Sequence, residues 1–461
     1  MENFSSDEQT NKNVILLVIA ISSFLAPFMT SSINISLPSI EKDFLIDAVK
    51  LNWISSAYVL SAAVFLVPAG KLADIYGRKK FFLIGNLIYT IATTLAAIAT
   101  SANILILARI IQGVGSAFVF STNIAIITSV FPFSERGRVL GINVSAVYIG
   151  LTIGPFLGGV LTGHLGWRSI FFFQIPFCLA ILLLGKSKIA LEWAEAKSEK
   201  FDFMGSILYI LFLLFFLYGL SKVPTKNFII LIALSALLFI AFFKVESKSK
   251  SPIVTFGLFR NNMTFAFSCL AAFINYTSTF AVSFLLSLFL QYIKDLSPQQ
   301  AGLILLAQPI IMAIFSPLAG KLSDKIEPRV IASLGMALIS ASLFALSRLG
   351  TNTGMVFIIF SLTILGFGFA LFSSPNANAI MSSVDKKFYG LASAFLGTMR
   401  LTGQMVSMAV AIVFFTLIIG KVRISPEHYG NFISALKYLF LTFGTISFVG
   451  IFASMFRSKI R

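Results

Sequence analysis

Apolar stretches about twenty residues long alternate with short polar ones along almost the whole chain. That length spans a bilayer as a helix. Lipid offers the backbone no hydrogen-bond partner, so each stretch is predicted to be helical. Fourteen spans can be placed, at roughly 14–37, 51–72, 81–99, 103–126, 138–162, 168–186, 204–221, 227–244, 264–291, 300–320, 329–347, 353–378, 388–416 and 436–456. An even number puts both termini on one side of the membrane.

The polar segments divide these spans into blocks. Residues 14–186 hold six spans and are expected to form one bundle. A polar linker follows at 187–203, with Glu192, Glu195, Lys197, Glu199 and Lys200. It reads either as a short surface helix around Trp193 or as a plain solvated linker. Residues 204–245 hold two further spans, 246–263 form a basic linker, and 264–456 hold the last six spans. Residues 1–13 and 457–461 are terminal tails.

The two larger blocks look duplicated. Gly70-Lys71-Leu72-Ala73-Asp74-Ile75-Tyr76-Gly77-Arg78-Lys79-Lys80 lies between spans 2 and 3 and reads as a short hinge loop at the membrane surface. Gly320-Lys321-Leu322-Ser323-Asp324 repeats its glycine, lysine, leucine and aspartate at the same offsets. Gly113-Val114-Gly115 with Asn123 in span 4 likewise resembles Gly366-Phe367-Gly368 with Asn376 in span 12. Spans 7 and 8 have no counterpart and read as an insertion. Parallel repeats of six helices suit a carrier whose site lies between the halves.

Composition narrows the class. The chain is 57% hydrophobic and 11% charged, too little charge to cover a soluble domain. Two cysteines and two histidines exclude a disulfide framework and a histidine-rich metal centre, and no cofactor is expected. The start, Met1 to Asn13, is polar and leads into a full span, so no cleavable signal peptide is expected. The net charge of +17 is spread over many inter-span segments. It fits contact with anionic lipid headgroups and not nucleic acid. With the N-terminus inside, 23 of the 35 Lys and Arg fall on inner segments and 10 on outer ones. This places both termini and both hinge loops in the cytoplasm.

Several side chains carry candidate chemistry. Gly70 and its repeat Gly320 allow close helix approach. Gly77 can take a positive φ and turn the chain. Asp74 can pair with Arg78 or meet the positive end of a facing helix. Arg109 and Arg400 lie within spans, where a charge costs ~2.5–3.5 kcal/mol on insertion scales. Each must face a cavity or a partner, or be tied structurally to backbone carbonyls. Asn34, Gln112, Asn123, Gln308 and Asn376 are neutral polar groups at membrane depth. They line a cavity or bond across helices, with the cavity favoured for Asn34 and Asn376. In span 5, Gly150, Gly154 and Gly158 share one helix face with Gly159 beside them, and Pro155 removes a donor and favours a kink. Small-residue packing alone is the competing reading.

These motifs together resemble the major facilitator superfamily, and within it the fourteen-span drug:proton antiporters, over essentially Val14 to Phe456. The Gly70–Lys80 loop fits the superfamily's first signature. Arg109 to Gly115 is similar to its second. Gly150-x-x-x-Gly154-Pro155-x-x-Gly158-Gly159 looks like the signature tied to export by antiport. Asn34 to Pro38, Asp202 to Ser206 and Pro252 to Asn262 are similar to the fourteen-span branch. The resemblance implies an all-α integral membrane protein of the cell membrane: two six-helix bundles with two additional transmembrane helices between them. It implies an alternating-access exporter of small amphiphilic molecules in exchange for protons, taken here as a monomer. It further implies a latch role for Asp74 and Arg78, by repetition shared with Asp324, a coupling role for Arg109, and a pivot role for span 5.

One departure matters. By these spans every acidic residue falls in a terminus, a connecting segment or a span end, and Met29 stands where the family often has an aspartate. A buried carboxylate would pair with a cationic drug and take up the exchanged proton. Without one, neutral or anionic amphiphiles are expected over organic cations, and Asp74 and Asp324 remain as groups that can titrate at span ends. Three rivals stand beside this reading: a dedicated exporter of a neutral or anionic metabolite or lipid without proton coupling, a non-transporting receptor, and a membrane enzyme. An enzyme would need clustered acids, histidines or a nucleophile with its base.

Overall fold

The computed structural model describes residues 6–131, 136–189, 191–194, 196–197, 199–220, 226–249, 251–253, 262–323, 326–384, 389–420 and 424–458. The described residues are almost entirely helical, and no strand occurs among them. The first block contains α1 (Ser6–Phe44), α2 (Ala48–Tyr76), α3 (Arg78–Ala97), α4 (Ala102–Val130), α5 (Arg136–Leu165) and α6 (Ser169–Lys188). The inserted pair is α7 (Phe203–Leu220) and α8 (Lys226–Glu246). The second block contains α9 (Met263–Ile293), α10 (Pro298–Ser323), α11 (Pro328–Leu346), α12 (Met355–Ser382), α13 (Tyr389–Phe414) and α14 (Tyr429–Met455). Thirteen helices among the described residues are long and apolar enough to cross a membrane. The remaining one, α7, has 18 residues, roughly 27 Å of helix, at the lower limit for a bilayer core.

The expected hinge loop is a sharp corner. Helix α2 continues through Asp74 to Tyr76, and α3 begins at Arg78, so Gly77 alone separates them. Its φ of 121° is one that L side chains rarely adopt. The linker after α6 also differs from a surface helix: it runs without helix past Trp193 into a turn at 196–197.

Packing confirms the duplication in detail. In the first block α1 packs on α5, α2 on α4, and α3 on α4 and α6; in the second, α9 packs on α13, α10 on α12, and α11 on α12 and α14. The glycine pairs make the same contacts. A methyl at Gly113 would strike the Tyr58 carbonyl of α2, and one at Gly366 would strike the Gln308 carbonyl of α10. A methyl at Gly115 would lie 2.7 Å from Gly85 O, and one at Gly368 would lie 2.8 Å from Gly335 O. Backbones in van der Waals contact are how membrane helices associate when lipid removes any hydrophobic drive between them.

The blocks meet along α2 and α13, α1 and α9, and α5 and α10. On the face opposite the hinges, Ser287 Oγ donates to Asn34 O at 2.7 Å, and Gln291 Nε2 donates to Ile35 O at 3.0 Å. Gln291 lies in a π-helical turn, Phe289–Ile293, at the end of α9. Beside it a methyl at Gly159 would lie 2.6 Å from Pro298 O, and Gly302 sits against the Pro155 carbonyl. This far face is therefore closed. Helix α7 leans on both α2 and α13, and α8 shows its outer side, including Ile229, Ile230, Leu237 and Ile240, to the surroundings.

Span 5 packs as the glycine spacing requires. Methyls at Gly150, Gly154 and Gly158 would collide with Phe24 O, Ser31 Oγ and Ser32 Cβ of α1. Gly158→Val is expected to destabilise the protein by roughly 1–3 kcal/mol through overpacking. A lower melting temperature in detergent, with the protein still monodisperse, checks this; an unchanged melting temperature would contradict the α1–α5 contact.

Candidate functional site

The midpoint is built around two arginines on opposite sides of the seam. Arg109 is fully buried in α4. Its Nε donates to Ile54 O of α2 at 3.2 Å, and its Nη1 donates to Gln112 Oε1. The guanidinium carbon lies over the Tyr58 ring, 4.4 Å from its centre, where the negative face of the ring attracts the charge. Nη2 has no hydrogen-bond partner. Gln112 Nε2 in turn donates to Thr93 Oγ1 of α3 at 2.8 Å, so one charge ties three helices together. Arg109 thus meets a carbonyl, an amide and a ring.

Arg400 of α13 is only partly buried, and its Nε is buried without a hydrogen-bond partner. It interacts with Tyr276 of α9, which also interacts with Ser373 of α12 and lies within electrostatic reach of Tyr148 of α5. Tyr58 feels both Arg109 and Arg400, and its hydroxyl shares a 2.7 Å hydrogen bond with Ser116 Oγ. Arg109, Tyr58 and Tyr148 belong to the first bundle, and Arg400 and Tyr276 to the second. Three of these five were not picked from the sequence. The available signal was that a tyrosine hydroxyl at membrane depth needs a polar partner, and tyrosines number 11 against 50 phenylalanines.

The neutral polar candidates are scattered. Asn34 is buried; its Oδ1 accepts from Ser55 Oγ at 2.9 Å, and its carbonyl closes the far face. Asn123 Nδ2 donates to Ser23 Oγ at 2.8 Å, which donates to Asn143 Oδ1 at 2.6 Å, a network inside the first bundle. Asn376 is buried, with Oδ1 unpaired. The cavity expectation for Asn34 and Asn376 is thus not met in this conformation, because neighbouring helices cover both. Gln308 stays partly exposed, with its backbone against Gly366.

No acidic residue among the described ones lies in the middle of a span. Two span-end carboxylates are nonetheless buried, Glu41 at 5% and Glu246 at 3% exposure. Among the described residues no group of three or more His, Cys, Asp or Glu could hold a metal ion.

The first hinge is an ion-paired corner. Arg78 Nε and Nη2 reach Asp74 Oδ1 at 2.9 and 2.8 Å, and Nη1 donates to Ser129 Oγ of α4 at 3.1 Å. Gly70 needs less room than expected, since an added methyl would make only ordinary contact with Ser121. In the second hinge Ser374 Oγ lies under Gly320, and Asn378 Nδ2 donates to Ser323 Oγ at 2.9 Å. Asp324 lies outside the described residues.

Two repeated helical bundles that close on one face around a polar midpoint define a membrane carrier. The chain belongs to the Major Facilitator Superfamily, whose model matches residues 19–247 and 268–460. It is 29% identical over 446 residues to the riboflavin transporter RibZ of Clostridioides difficile, covering 96% of this chain and 97% of that protein. It is 29% identical over 384 residues to the multidrug resistance protein Stp of Mycobacterium tuberculosis, covering 82% and 71%. A POT family transporter solved with 5-aminolevulinic acid shares the fold, with a TM-score of 0.71, 16% identity and coverage of 95% and 94%. The chain is therefore a multi-pass membrane transporter and not an enzyme.

Arg109→Lys keeps the charge but cannot lie flat on Tyr58 while reaching Ile54 O and Gln112 together. Transport is expected to fall by about tenfold or more, the scale of one charge-assisted hydrogen bond. Uptake into inverted vesicles at equal protein level checks this. A wild-type rate would reduce the stacked pair to packing.

Proposed function

We propose that this transporter exports neutral or anionic amphiphiles from the cytoplasm by alternating access, driven by proton antiport. The hinge face is the cytoplasmic face of the cell membrane, both termini lie inside, the working unit is a monomer, and surface lysines and arginines sit among anionic headgroups. The observation that carries this is the midpoint: two arginines and three tyrosines from both bundles, with no mid-span acid among the described residues. A permanent cation entering there would lose its water and gain no opposite charge. A neutral or anionic ring finds donors, a guanidinium and aromatic faces. Drug export is further supported by the multidrug resistance relative.

A second reading is favoured by the relative aligned over nearly its whole length, a riboflavin transporter. On that reading the chain exports one neutral or anionic metabolite. A broad panel of structurally unrelated compounds separates the two: many substrates support the first, a single one the second.

Purified protein in liposomes should move an anionic or neutral dye faster than a quaternary ammonium dye; the reverse order would overturn the substrate preference. Collapsing the pH gradient should abolish uphill efflux, and undiminished efflux would remove proton antiport. Asp74→Asn should stall transport while leaving membrane insertion intact. Insertion is read from protein recovered in the membrane fraction.

A further inference from the structure

The polar linker after α6 does not hang in solvent: it folds back onto the first hinge and grips it at five points. Arg78 N donates to Trp193 O at 2.8 Å, and Ala196 N donates to Asp74 O at 3.0 Å, so linker main chain meets hinge main chain on both sides of the corner. Lys79 N and Lys80 N donate to the two carboxylate oxygens of Glu192, at 2.8 and 3.1 Å. Lys71 Nζ pairs with Glu199. Gly77 stands at the N-cap of α3 and has no side chain to cap it. The first amide donors of a helix are otherwise orphaned, and here Glu192 receives two of them from a distant part of the chain. The same carboxyl fills the space beside Gly77, since a methyl there would lie 2.5 Å from Glu192 Cδ.

Charge follows the same arrangement. The hinge carries Lys71, Arg78, Lys79 and Lys80 against one internal acid, Asp74. Glu192 and Glu199 bring two negative charges to it. The second hinge is met instead by Ser374 and Asn378. The linker continues directly into α7, which leans on α2 of one bundle and α13 of the other. It thus connects the first hinge to a helix that touches both moving parts.

We propose that the Glu192–Glu199 segment holds the first hinge in the conformation seen here, with Glu192 as a positioning residue. It seats the hinge corner while the far face is closed, and the grip loosens when the bundles rock to open that face. This gives the inserted pair a role, in which α7 senses the relation of the bundles and the linker carries it to the hinge.

The test reads conformation rather than transport, so it stands whatever the substrate or membrane orientation. Gln299→Cys places a thiol where α10 meets Gly159 on the closed far face. The native thiols, Cys178 and Cys269, are buried. In lipid nanodiscs, with both faces open to reagent, maleimide labelling of this cysteine reports far-face opening. Adding Glu192→Ala is expected to speed labelling by about fivefold, the weight of a charged cap at a helix start. Glu192→Gln, which keeps one acceptor oxygen, should fall between. If Glu192→Ala does not fold, Glu199→Gln on the partly exposed arm should give a smaller shift in the same direction. A lowered melting temperature with unchanged labelling would make Glu192 merely structural and overturn the proposal. So would labelling that slows.

Discussion

A guanidinium inside a bilayer must have its hydrogens and its charge met by protein, because lipid meets neither. Arg109 is met by α2 through Ile54 and Tyr58, by Gln112 on its own helix, and through Gln112 by Thr93 of α3. These contacts require α2 and α4 to lie very close, and Gly113, one turn beyond Arg109, removes the side chain that would keep them apart. Tyr58 is then fixed with one face on Arg109. The position of the charge thus sets the spacing of three helices and the composition of the seam.

The second half keeps the backbone and drops the charge. With the offset of 253 that relates the glycine pairs, Arg109 corresponds to Leu362 and Gln112 to Leu365, both fully buried. The tight contact survives at Gly366, but it is made against Gln308, where the first half has Tyr58. At these equivalent positions one bundle is therefore charged and cross-bonded and the other apolar. The second bundle's cation comes from α13 and stays partly exposed at the seam. The hinges diverge similarly: the first is gripped by a charged linker, and among the described residues Gly320 and Ser323 of the second meet the neutral Ser374 and Asn378. A duplicated scaffold has been given unequal work.

Much of this was legible from the chain. Apolar length placed the spans, repeated glycines marked helix contacts, and Asp74 and Arg78 paired as their spacing allowed. The losses have a common cause. Hydrophobic runs say that a residue lies in a span but not which neighbour it faces, so Tyr148 and Tyr276 looked like any other aromatic. Glu192 binds amides more than a hundred residues earlier, and no local pattern encodes that pairing. Glu41 and Glu246 sit at span ends, where water is the default, yet adjoining helices cover them. The hinge read as a loop because its charges suggested solvent, whereas helix α2 carries Asp74 on an ordinary turn and leaves one glycine to bend.

The absence of a mid-span acid constrains how a proton gradient can do work here. Moving one charge through 100 mV releases ~2.3 kcal/mol, but only if a titratable group is exposed to each side in turn. A carboxylate at the centre would manage this by itself. With arginines there instead, the exchange we propose relies on carboxylates near the faces, each open or covered according to which face is closed. Asp74 is partly exposed and bound to Arg78 at the first hinge. The antiport we propose therefore couples through the faces of the protein and not through an acid that touches the substrate.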